Sequence, residues 1–524
     1  MNEIQLLDCT LRDGGYCNEW KFGQNNIFKI ISKLDDAGID IIECGFLTHK
    51  NCSDRNLSRF GKIEELGAIV KKKKNAKIVL MANYGEYDFD SLPQNSGTVD
   101  GIRIAFHKDN CSAALECCKK VKEKGYMAFI QPMVSLRYDR SEFLELIESV
   151  NYIKPYAFYI VDSFGSMKRN ELEALYNMAD DALDSDIALG FHAHNNMQLA
   201  RANAEWLIER SADTRNILID SSVCGMGRGA GNLNTELMAE YLNSTLDKSY
   251  DVKEILEIID EVILDFYEKK YWGYSLPNFL SAKYNVHPNY ADYLEGKKTL
   301  TFKEMCEIFE KIPSEERYEY NAECIGGLYL NYLENRATSD NSIDDLKEIF
   351  EKRNVLLVAP GKTVGTEKDK IQQFIKEHES VVVSVNFDYE FVNTDYVFFS
   401  NIRRFRQASI EGKTVIATSN IEENVDYTIP YKKYLNKEKG VEDNAALMLI
   451  KILIDCDVKH IYIAGLDGYT NDMSENYMDQ ELQILMNPKT VEQKNFGIKK
   501  VLSELRHSVD LDFITTTKQI RLEK

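Results

Sequence analysis

The sequence lacks the features that would assign it to a membrane, secreted or nucleic-acid-binding class. No apolar run approaches the roughly 20 residues that a membrane-spanning helix needs, and the N-terminus, MNEIQLLDCT, has no signal-peptide pattern. Basic residues number 64 against 84 acidic ones, and the resulting net charge of −20 argues against nucleic acid or an anionic membrane as the main partner. We therefore expect a cytoplasmic protein with small-molecule partners.

Cysteine is present, but its arrangement is not typical of disulfides or zinc sites. The 11 cysteines are scattered, and several, such as Cys44 and Cys456, lie inside apolar segments. An odd number without framework spacing indicates reduced thiols. Neither the pair Cys117 and Cys118 nor Cys9 with its neighbours has zinc-site spacing, so these cysteines are interpreted as structural.

Short apolar segments recur at regular intervals through the first part of the chain. With 524 residues, 44% of them hydrophobic and 28% charged, the chain is long enough for two or three buried cores. Eight short segments, most of them rich in Ile and Val, alternate with amphipathic, charge-rich stretches. The pattern predicts a (β/α)8 TIM barrel, with a doubly wound open sheet as the alternative. The predicted strands are 4–10, 40–46, 77–83, 101–106, 126–132, 157–162, 187–194 and 216–223.

The rest of the sequence predicts a connector and a second α/β domain. The predicted barrel domain covers residues 1–290, a helical connector covers 291–350, and a Rossmann-like open parallel sheet covers 351–524. The charged stretch 334–345, which has few apolar residues, is the best linker candidate. The expected fold class is therefore α/β, with a barrel and a helical extension followed by a smaller open-sheet domain.

Three residues at predicted strand ends have side chains that bind metals. In a TIM barrel the functional groups collect at the carboxyl ends of the strands. Asp13 follows the first strand, and His192 and His194 end the seventh, where alternation points both imidazoles the same way. Two imidazoles and one carboxylate suit Mn²⁺ or Mg²⁺, with Co²⁺ and Zn²⁺ as further candidates. The alternative is a pair of hydrogen-bonded histidines at the barrel mouth without a metal.

Four ordered motifs resemble a known enzyme family. LLDCTLRDGG, IIECGF, GFHAHNN and GMGRGAGN are similar, in this order, to segments of the metal-dependent pyruvate-type aldolases, HMG-CoA lyases and 2-isopropylmalate synthases. The resemblance covers the predicted barrel and is greatest to 4-hydroxy-2-oxovalerate aldolase-like proteins. It implies that Asp13, His192 and His194 hold a divalent metal. It further implies that Asn232 is another ligand, although a turn residue fits equally, and that Arg12 contacts the developing enolate.

The residue types at this predicted site fit enolate chemistry. Cleaving a bond β to a ketone leaves an enolate, whose protonation gives the 2-oxo acid, and a chelated divalent cation acts on it as a Lewis acid. Arg12 supplies a fixed positive charge where negative charge develops, with a surface ion pair as the weaker alternative. The resemblance also implies that Glu43 organises the site; a buried carboxylate paired within the barrel is the alternative.

Further polar residues follow other predicted strands. Asp162 and Ser163 could hydrogen-bond a bound oxo acid, although a helix N-cap explains the serine equally. Arg103 and His107 flank the end of the fourth predicted strand, where they could bind a substrate carboxylate or a sugar hydroxyl. The expected substrate-binding residues are therefore Arg103, His107 and Ser163.

The sequence departs from the aldolases at a catalytic position. In those enzymes a histidine three residues after the metal-binding aspartate transfers the proton of the 4-hydroxyl, and here Tyr16 stands at that place. A tyrosine with a pKa of about 10 is a poor base at pH 7. Either Tyr16 donates a hydrogen bond, or Glu19, His107 or water at the metal moves the proton. Cys224 precedes the Gly-rich loop, which argues against a thioester handled as in the HMG-CoA lyases.

An aromatic-rich segment follows the predicted barrel. It covers residues 271–294 and contains Trp272, Tyr274 and Tyr290 among other rings. The segment could close over a larger polyol substrate as a lid. The alternative is aromatic packing of helices against the barrel.

The second α/β region resembles, in layout, the nucleotide-binding part of the bacterial sialyltransferase fold. Its first strand is followed by the turn Ala359-Pro360-Gly361-Lys362-Thr363, which lacks both GxGxxG and the full Walker pattern. The resemblance implies that Gly361 and Lys362 border a nucleotide phosphate, that Asn386 contacts ribose or base, and that Asp467 makes a later contact. A nucleotide or nucleotide-sugar is the expected ligand; a scaffold that only binds a partner is the alternative.

These observations favour a metal-dependent aldolase acting on a 4-hydroxy-2-oxo acid, with a 2-oxo acid and an aldehyde as its substrates or products. The fused second domain suggests the biosynthesis of an unusual surface-polysaccharide sugar. The alternatives are an acyl-CoA-dependent Claisen-type synthase, a glycosyltransferase whose activity lies in the C-terminal domain, and a non-catalytic metal-binding or assembly protein. By resemblance to related barrels, we expect a homo-oligomer.

Overall fold

The chain divides into two compact units. The computed structural model describes residues 3–50, 54–67, 69–70, 75–211, 214–297, 299–335, 342–421, 423–479, 482, 486 and 488–518. Unit 1 contains Met1–Tyr293 and Pro313–Tyr320, and unit 2 contains Leu294–Ile312 and Asn321–Lys524. Within the described residues, none of the helices has both the length and the apolar character needed to cross a bilayer.

Unit 1 is built on a closed barrel of eight parallel strands. Its predicted strand segments are buried along almost their whole length, as expected for strands covered on both faces. The first strand pairs with the second on one side and with the last on the other, which closes the barrel. The short strand β3 is added outside this ring, next to β2. The strands are β1 Ile4–Asp8, β2 Ile41–Leu47, β3 Arg59–Phe60, β4 Lys77–Asn83, β5 Gly101–Phe106, β6 Met127–Pro132, β7 Ala157–Asp162, β8 Ala188–Ala193 and β9 Ile217–Ser221.

The predicted TIM barrel is therefore confirmed, and each of its eight strands lies within or beside a predicted segment. The barrel interior is filled by alternate residues of the strands, including Leu7, Phe129, Tyr159 and Leu218. The other face of each strand packs against the surrounding helices in a second, larger core. This alternation fixes which polar residues point into the barrel.

The helices of the first part of the chain follow the expected α/β alternation. In the helix at residues 140–153, Asp139 caps the N-terminus in a capping box with Glu142, and Phe143, Leu146 and Val150 form its buried face. The helices are α1 Thr10–Asp13, α2 Gly15–Asn18, α3 Gln24–Asp36, α4 Ile63–Gly67, α5 Cys111–Glu123, α6 Arg140–Ile153, α7 Arg169–Ala182, α8 Ala200–Ser211, α9 Thr235–Leu246, α10 Val252–Ile258, α11 Leu264–Tyr267, α12 Leu276–Lys283 and α13 Pro288–Lys297.

The aromatic segment 271–294 makes ring contacts with residues on either side of it and with the barrel. Trp272 is buried, and its Nε1 donates a hydrogen bond of 3.0 Å to the carbonyl oxygen of Cys224. Tyr290 is also buried, and its hydroxyl donates to the carbonyl oxygen of Glu316 at 2.7 Å. For these two residues the helix-packing alternative describes the structure, whereas Tyr274 is exposed.

Unit 2 contains an open, all-parallel sheet of seven strands among its described residues. The strand order is β14-β13-β12-β11-β10-β15-β16, so the direction of strand addition reverses once, at β10. The predicted open parallel sheet is confirmed; its assignment as Rossmann-like stays a prediction. The strands are β10 Asn354–Val358, β11 Val381–Val385, β12 Tyr396–Phe399, β13 Thr414–Thr418, β14 Tyr427–Ile429, β15 His460–Ala464 and β16 Leu511–Phe513.

The helices of the second part of the chain include those expected in the connector. Residues of the predicted connector 291–350 occur in both units, and the predicted domain bounds stay a prediction. Residues 336–341 of the predicted linker lie outside the described residues. The helices are α14 Phe302–Phe309, α15 Ala322–Asn335, α16 Ile343–Phe350, α17 Thr363–Thr366, α18 Lys368–Glu377, α19 Ile402–Gln407, α20 Tyr431–Tyr434, α21 Ala445–Asp455 and α22 Pro488–Leu505.

Candidate metal centre

A small cavity opens at the carboxyl ends of the barrel strands. Its volume is about 70 Å³, and its wall includes Arg12, Asp13, His192 and His194. A larger cavity of about 420 Å³ lies at the opposite end of the barrel, beside Gln5 and residues that precede or open other strands. Because TIM-barrel enzymes place their chemistry at the carboxyl ends of the strands, the smaller cavity is the candidate site.

The structure brings together the three residues predicted to hold a metal. Asp13, His192 and His194 are buried, and one potential ligand atom from each lies within 4.8 Å of the other two. Asp13 is the last residue of α1, the single helical turn after β1; His192 lies near the end of β8, and His194 directly follows that strand. The two imidazole rings have a centroid distance of 5.3 Å and an interplanar angle of 90°. Two nitrogens and one carboxylate form an open N/O set that suits a divalent ion.

Hydrogen bonds to the remaining ring nitrogens hold both imidazoles. The Nδ1 of His192 lies 3.0 Å from Oδ2 of Asp220, and the Nδ1 of His194 lies 3.2 Å from the carbonyl oxygen of Arg228. An acceptor at Nδ1 places the ring proton there and leaves Nε2 as the free ligand atom. Nε2 of His194 accordingly lies 3.8 Å from Oδ2 of Asp13.

Asn232 provides an independent test of whether the site fits a cation. Its side-chain nitrogen donates a 2.6 Å hydrogen bond to Oδ2 of Asp13, and its backbone forms an isolated bridge with His194. Its Oδ1 is buried and has no hydrogen-bond partner among the described residues. A buried acceptor without a donor is costly unless something else supplies positive charge, so the amide oxygen suits a fourth ligand position.

Electrostatics keep Asp13 charged and His194 neutral. Burial would raise the pKa of Asp13, but the positive charge of Arg12 opposes it, and the pKa is held below its usual range. Burial also lowers the pKa of His194 to about 3. A carboxylate and a neutral imidazole are the protonation states that bind a metal.

Arg12 lies between two carboxylates and keeps one donor free. Its Nε donates to Glu43 at 2.8 Å and its Nη1 donates to Asp13 at 2.6 Å. Burial opposes its charge, yet Glu43 and Asp13 raise the pKa of the guanidinium above its ordinary value. Its Nη2 is buried and lacks a hydrogen-bond partner in the described part of the chain, so one N–H donor is available at the cavity.

A run of buried charges connects Arg12 to His192 through the barrel interior. Arg103, on β5, has its Nη1 2.9 Å from Oε2 of Glu43 and its Nη2 against Oδ2 of Asp220, and Asp220 in turn contacts His192. Burial would raise the pKa of Asp220, but Arg103 and His192 lower it. We call Arg12, Glu43, Arg103, Asp220 and His192 the interior charge chain.

The position of Arg103 differs from the sequence expectation. It is fully buried and pairs two carboxylates inside the barrel, and it is not part of the cavity wall. Alternation along β5 explains this, because Arg103 points inward well before the strand ends. Glu43 likewise takes the paired, buried position that was considered as an alternative role for it.

The other predicted site residues lie at different distances from the cavity. Tyr16 and Ser163 are part of its wall, and the Ser163 hydroxyl accepts a 2.9 Å hydrogen bond from the backbone nitrogen of Val134. His107 is outside this wall, and its Nε2 lies 4.0 Å from Oε1 of Glu319. Glu19 is also outside it, with a 72% exposed side chain that pairs with Lys21.

Sequence reasoning missed Asp220, which holds His192 and pairs with Arg103. The signal was a single carboxylate in the apolar segment NILIDSSV. Alternation places Asp220 on the same face as Leu218, which is part of the barrel interior. A charged residue on that face requires partners, and these could have been sought on neighbouring strands.

In unit 2, the structure gives the predicted nucleotide-binding loop an internal partner. The carboxylate of Asp467 accepts hydrogen bonds from the backbone nitrogen of Thr363, at 2.8 Å, and from its hydroxyl. A side chain on Gly361 would meet the carbonyl oxygen of Gly465 at 2.2 Å. Lys362 precedes α17 and Asn386 follows β11, where its Oδ1 is buried without a partner among the described residues.

Comparison with known proteins finds a family that the barrel resembles. A sequence model of the HMGL-like family matches residues 3–262. This range contains all eight barrel strands and the candidate metal ligands, so the match supports the resemblance seen in the motifs. Unit 2 lies outside the HMGL-like match.

Curated proteins similar to the barrel include enzymes named as aldolases. A 4-hydroxy-2-oxovalerate aldolase from Marinomonas sp. (strain MWYL1) is 27% identical over 278 residues, which is 50% of this chain and 78% of that protein. One from Carboxydothermus hydrogenoformans is 28% identical over 267 residues, with coverages of 50% and 77%. The comparisons support an enzyme of the aldolase type, as the sequence predicted.

Solved structures also include proteins with a similar fold. The N-terminal domain of a Bacteroides vulgatus protein named as a candidate aldolase has a TM-score of 0.50 and 28% identity, and the match covers 57% of this chain and 98% of that one. The carboxyl transferase domain of Rhizobium etli pyruvate carboxylase, with pyruvate and biocytin, has a TM-score of 0.51 at 13% identity, with coverages of 67% and 65%. The second similarity concerns the fold alone.

Proposed function

We propose that the barrel is a divalent-metal-dependent aldolase that makes or breaks a carbon–carbon bond of a 4-hydroxy-2-oxo acid through a pyruvate-type enolate. The observation that carries the proposal is the convergence of Asp13, His192 and His194 on one cavity that also contains Arg12. The same four residues lie in the motifs that resemble the aldolases. When bound, the cation supplies Lewis acidity to the carboxylate and oxo group of the substrate.

Arg12 is proposed to stabilise the negative charge that develops on the substrate. Its guanidinium is fixed by Glu43 and Asp13, so no reorganisation is needed when charge appears. The free N–H donor on Nη2 is the group that would contact the oxygen of the enolate. Removing one such donor typically costs about 100- to 1,000-fold in kcat.

Tyr16 is the residue we propose to contact the 4-hydroxyl. It is part of the cavity wall, whereas Glu19 and His107, the other side chains considered for this step, are not. In cleavage, a tyrosine hydroxyl can accept the proton of the 4-hydroxyl while it donates its own proton to water, so the proton leaves the substrate as the carbonyl forms. Tyr16→Phe is therefore expected to lower aldol cleavage by about 100-fold, in the range of a lost acid–base group, measured as kcat for pyruvate release.

The proposal is tested by pyruvate release from a panel of 4-hydroxy-2-oxo acids, with Mn²⁺, with Mg²⁺ and with chelator. We expect turnover that requires the cation and is abolished in His192→Ala. The exposed His507 supplies a matched control, since His507→Ala removes an imidazole far from the proposed site residues in sequence and outside the HMGL-like match. Turnover that resists chelation and survives His192→Ala would contradict the proposal.

Release of a free thiol from acetyl-CoA in the presence of a 2-oxo acid, without any aldol cleavage, would favour the Claisen-type alternative instead.

A cytoplasmic location and a role in making a surface-polysaccharide sugar, the latter suggested by the fusion of the two units, remain predictions. Nucleotide or nucleotide-sugar binding by unit 2 is likewise a prediction. Because Asp467 already accepts the N–H of Thr363, a phosphate at that loop would have to displace a carboxylate. Isothermal titration with nucleotides and sedimentation of the full chain test binding and the expected homo-oligomer.

A further inference from the structure

Arg228 is a cation in the cavity wall without a carboxylate of its own. Asp13 is the one carboxylate among the described residues of that wall, and it already pairs with Arg12. No ion pair within 4.0 Å joins Arg228 to an acidic group in the described ranges. Its Nε is buried without a hydrogen-bond partner there, and its Nη2 makes only a long bond, 3.3 Å, to the carbonyl oxygen of Ser163.

The Arg228 side chain is held in place across the cavity. Its backbone carbonyl accepts the hydrogen bond from His194, so the residue begins directly beside a proposed metal ligand. The guanidinium then extends over the Tyr16 ring, at 5.3 Å from the ring centroid, and reaches the end of β7 at Ser163. A cation–π contact and a neutral carbonyl orient the charge but do not neutralise it.

A second donor faces the same guanidinium. Nη1 of Arg228 lies 3.5 Å from Nε2 of His287. The other ring nitrogen of His287 accepts a 3.2 Å hydrogen bond from the backbone nitrogen of Asn289. The shorter contact at Nδ1 favours the tautomer that carries its proton on Nε2, and in that tautomer Nε2 and Nη1 are two donors that face each other without an acceptor.

We propose that Arg228 and His287 form an anion-binding subsite beside the metal centre, and that the aldehyde half of the substrate carries a carboxylate or a phosphate. This rests on the proposed aldolase function and adds the charge of the second substrate. An oxygen of such a group accepts from both Nη1 of Arg228 and Nε2 of His287, which resolves the approach of the two donors. The cavity is small, about 70 Å³, so a substrate held at the metal ligands lies within reach of Arg228.

The test compares charged and neutral aldehydes with the same number of carbon atoms in aldol addition to pyruvate with Mn²⁺. Succinic semialdehyde is paired with butanal, and glyceraldehyde 3-phosphate with glyceraldehyde, so that the two arms separate carboxylate from phosphate recognition. We expect kcat/KM to favour the charged member of at least one pair, and Arg228→Gln to lower that preference by about tenfold or more, because truncating one partner of a hydrogen-bonded charge pair costs at least this much. Arg228→Lys is expected to restore part of it.

A binding measurement reads the subsite independently of turnover. Calorimetric titration of succinate and of inorganic phosphate into the Mn²⁺-loaded protein should give an affinity that Arg228→Gln weakens by about tenfold or more, and His287→Phe by less. Equal preference for charged and neutral aldehydes in the wild type, or anion binding that Arg228→Gln leaves in place, would overturn the inference.

Deuterium exchange into pyruvate tests the proposed aldolase function separately from the anion subsite. Wild-type protein with Mn²⁺ should exchange the methyl protons of pyruvate with deuterium from D₂O, a reaction that needs the enolate but no aldehyde. Absence of this exchange overturns the aldolase proposal, and the anion titrations then decide the subsite alone. Exchange without any charge preference retains the aldolase and overturns the subsite.

Discussion

Asp220 contacts His192, a ligand of the proposed metal centre, through one hydrogen bond. The partner of a metal-binding histidine fixes its ring and raises its basicity, and its loss usually costs about 10- to 100-fold in metal affinity. We expect Asp220→Asn to lower the Mn²⁺ affinity by this factor, because an amide cannot provide the charge that polarises the imidazole. Isothermal titration of Mn²⁺ into the two proteins measures the effect.

Asp8 supplies the matched control for that substitution. It is buried at the end of β1 and accepts a hydrogen bond from Thr235, and burial raises its pKa to about 6. Asp8→Asn therefore removes a carboxylate that is easily protonated and that is not part of the cavity wall. Equal losses of Mn²⁺ affinity in the two variants would show that Asp220 matters only for the fold.

Arg103 stabilises the barrel by pairing two buried carboxylates. Arg103→Met leaves Glu43 with Arg12 alone and Asp220 with His192 but no guanidinium, so we expect a loss of about 3–5 kcal/mol. Arg103 lowers the pKa of Asp220 in the folded protein, so this stabilisation is present above the unfolded pKa of about 3.9 and is lost as pH falls. In Arg103→Met, burial is expected to raise the pKa of Asp220 above its unfolded value. The free energy of unfolding of this variant should then fall as the pH rises and Asp220 ionises. The loss should therefore be greater at pH 8 than at pH 4.5.

Urea unfolding followed by tryptophan fluorescence measures this effect in the barrel. Arg201 provides the control, because its exposed ion pair with Glu205 should contribute about 1 kcal/mol or less at either pH. An Arg103→Met loss that does not change between the two pH values would contradict the assigned pairing.

Among the elements, the Gly-rich loop between β9 and α9 depends on a close approach at Gly227. A Cβ at this position would lie 2.5 Å from Nδ2 of Asn232 and 2.7 Å from Oδ2 of Asp13. We expect Gly227→Ala to displace these side chains and to lower the Mn²⁺ affinity by about tenfold or more, while the fold is retained. Gly327→Ala in α15 is the control, since its Cβ meets nothing within 4 Å. Unchanged Mn²⁺ binding in Gly227→Ala would argue against the proposed ligand geometry.

The strands were predictable from sequence, and their polar contacts were not. Buried strands need runs of Ile, Val and Leu, so the eight barrel segments could be identified from composition. The proximity of His192 and His194, the proposed ligands, followed from alternation within one strand. The inward direction of Arg103 and the role of Asp220 depend on the register of separate strands, which no local pattern encodes. In unit 2 the short strand β14 was missed, because three residues carry little periodic signal.

At the scale of the whole molecule, the protein contains a natural reporter for one unit. All three tryptophans, Trp20, Trp206 and Trp272, belong to unit 1. A ligand at 100 times its dissociation constant stabilises the folded state by about 2.7 kcal/mol. We expect Mn²⁺ at this excess to shift the urea midpoint seen by tryptophan fluorescence upward, and Asp13→Ala to abolish the shift. A shift that persists in Asp13→Ala would place the cation elsewhere.

The division into units could be predicted only in part. The barrel and the open sheet each follow from their strand patterns. The patterns do not predict that Pro313–Tyr320 belongs to unit 1 although the preceding residues, Leu294–Ile312, belong to unit 2. Contacts within unit 1 hold this segment. The Tyr290 hydroxyl donates to the carbonyl oxygens of Glu316 and Glu319, and the ring of Tyr318 stacks parallel to that of Phe164. Such contacts join residues distant in sequence, so a helical connector was the simpler expectation.

The closure of the barrel has a consequence for the order of events during synthesis. Asp13 emerges from the ribosome early, whereas His192, His194 and Asn232 emerge only with the last two barrel strands, and β1 must pair with β9 to bring them together. On the proposed function, cation capture is therefore a late step of maturation. Nascent chains released before residue 188 should retain no Mn²⁺ on gel filtration, so unfinished products would not draw on the metal supply of the cell.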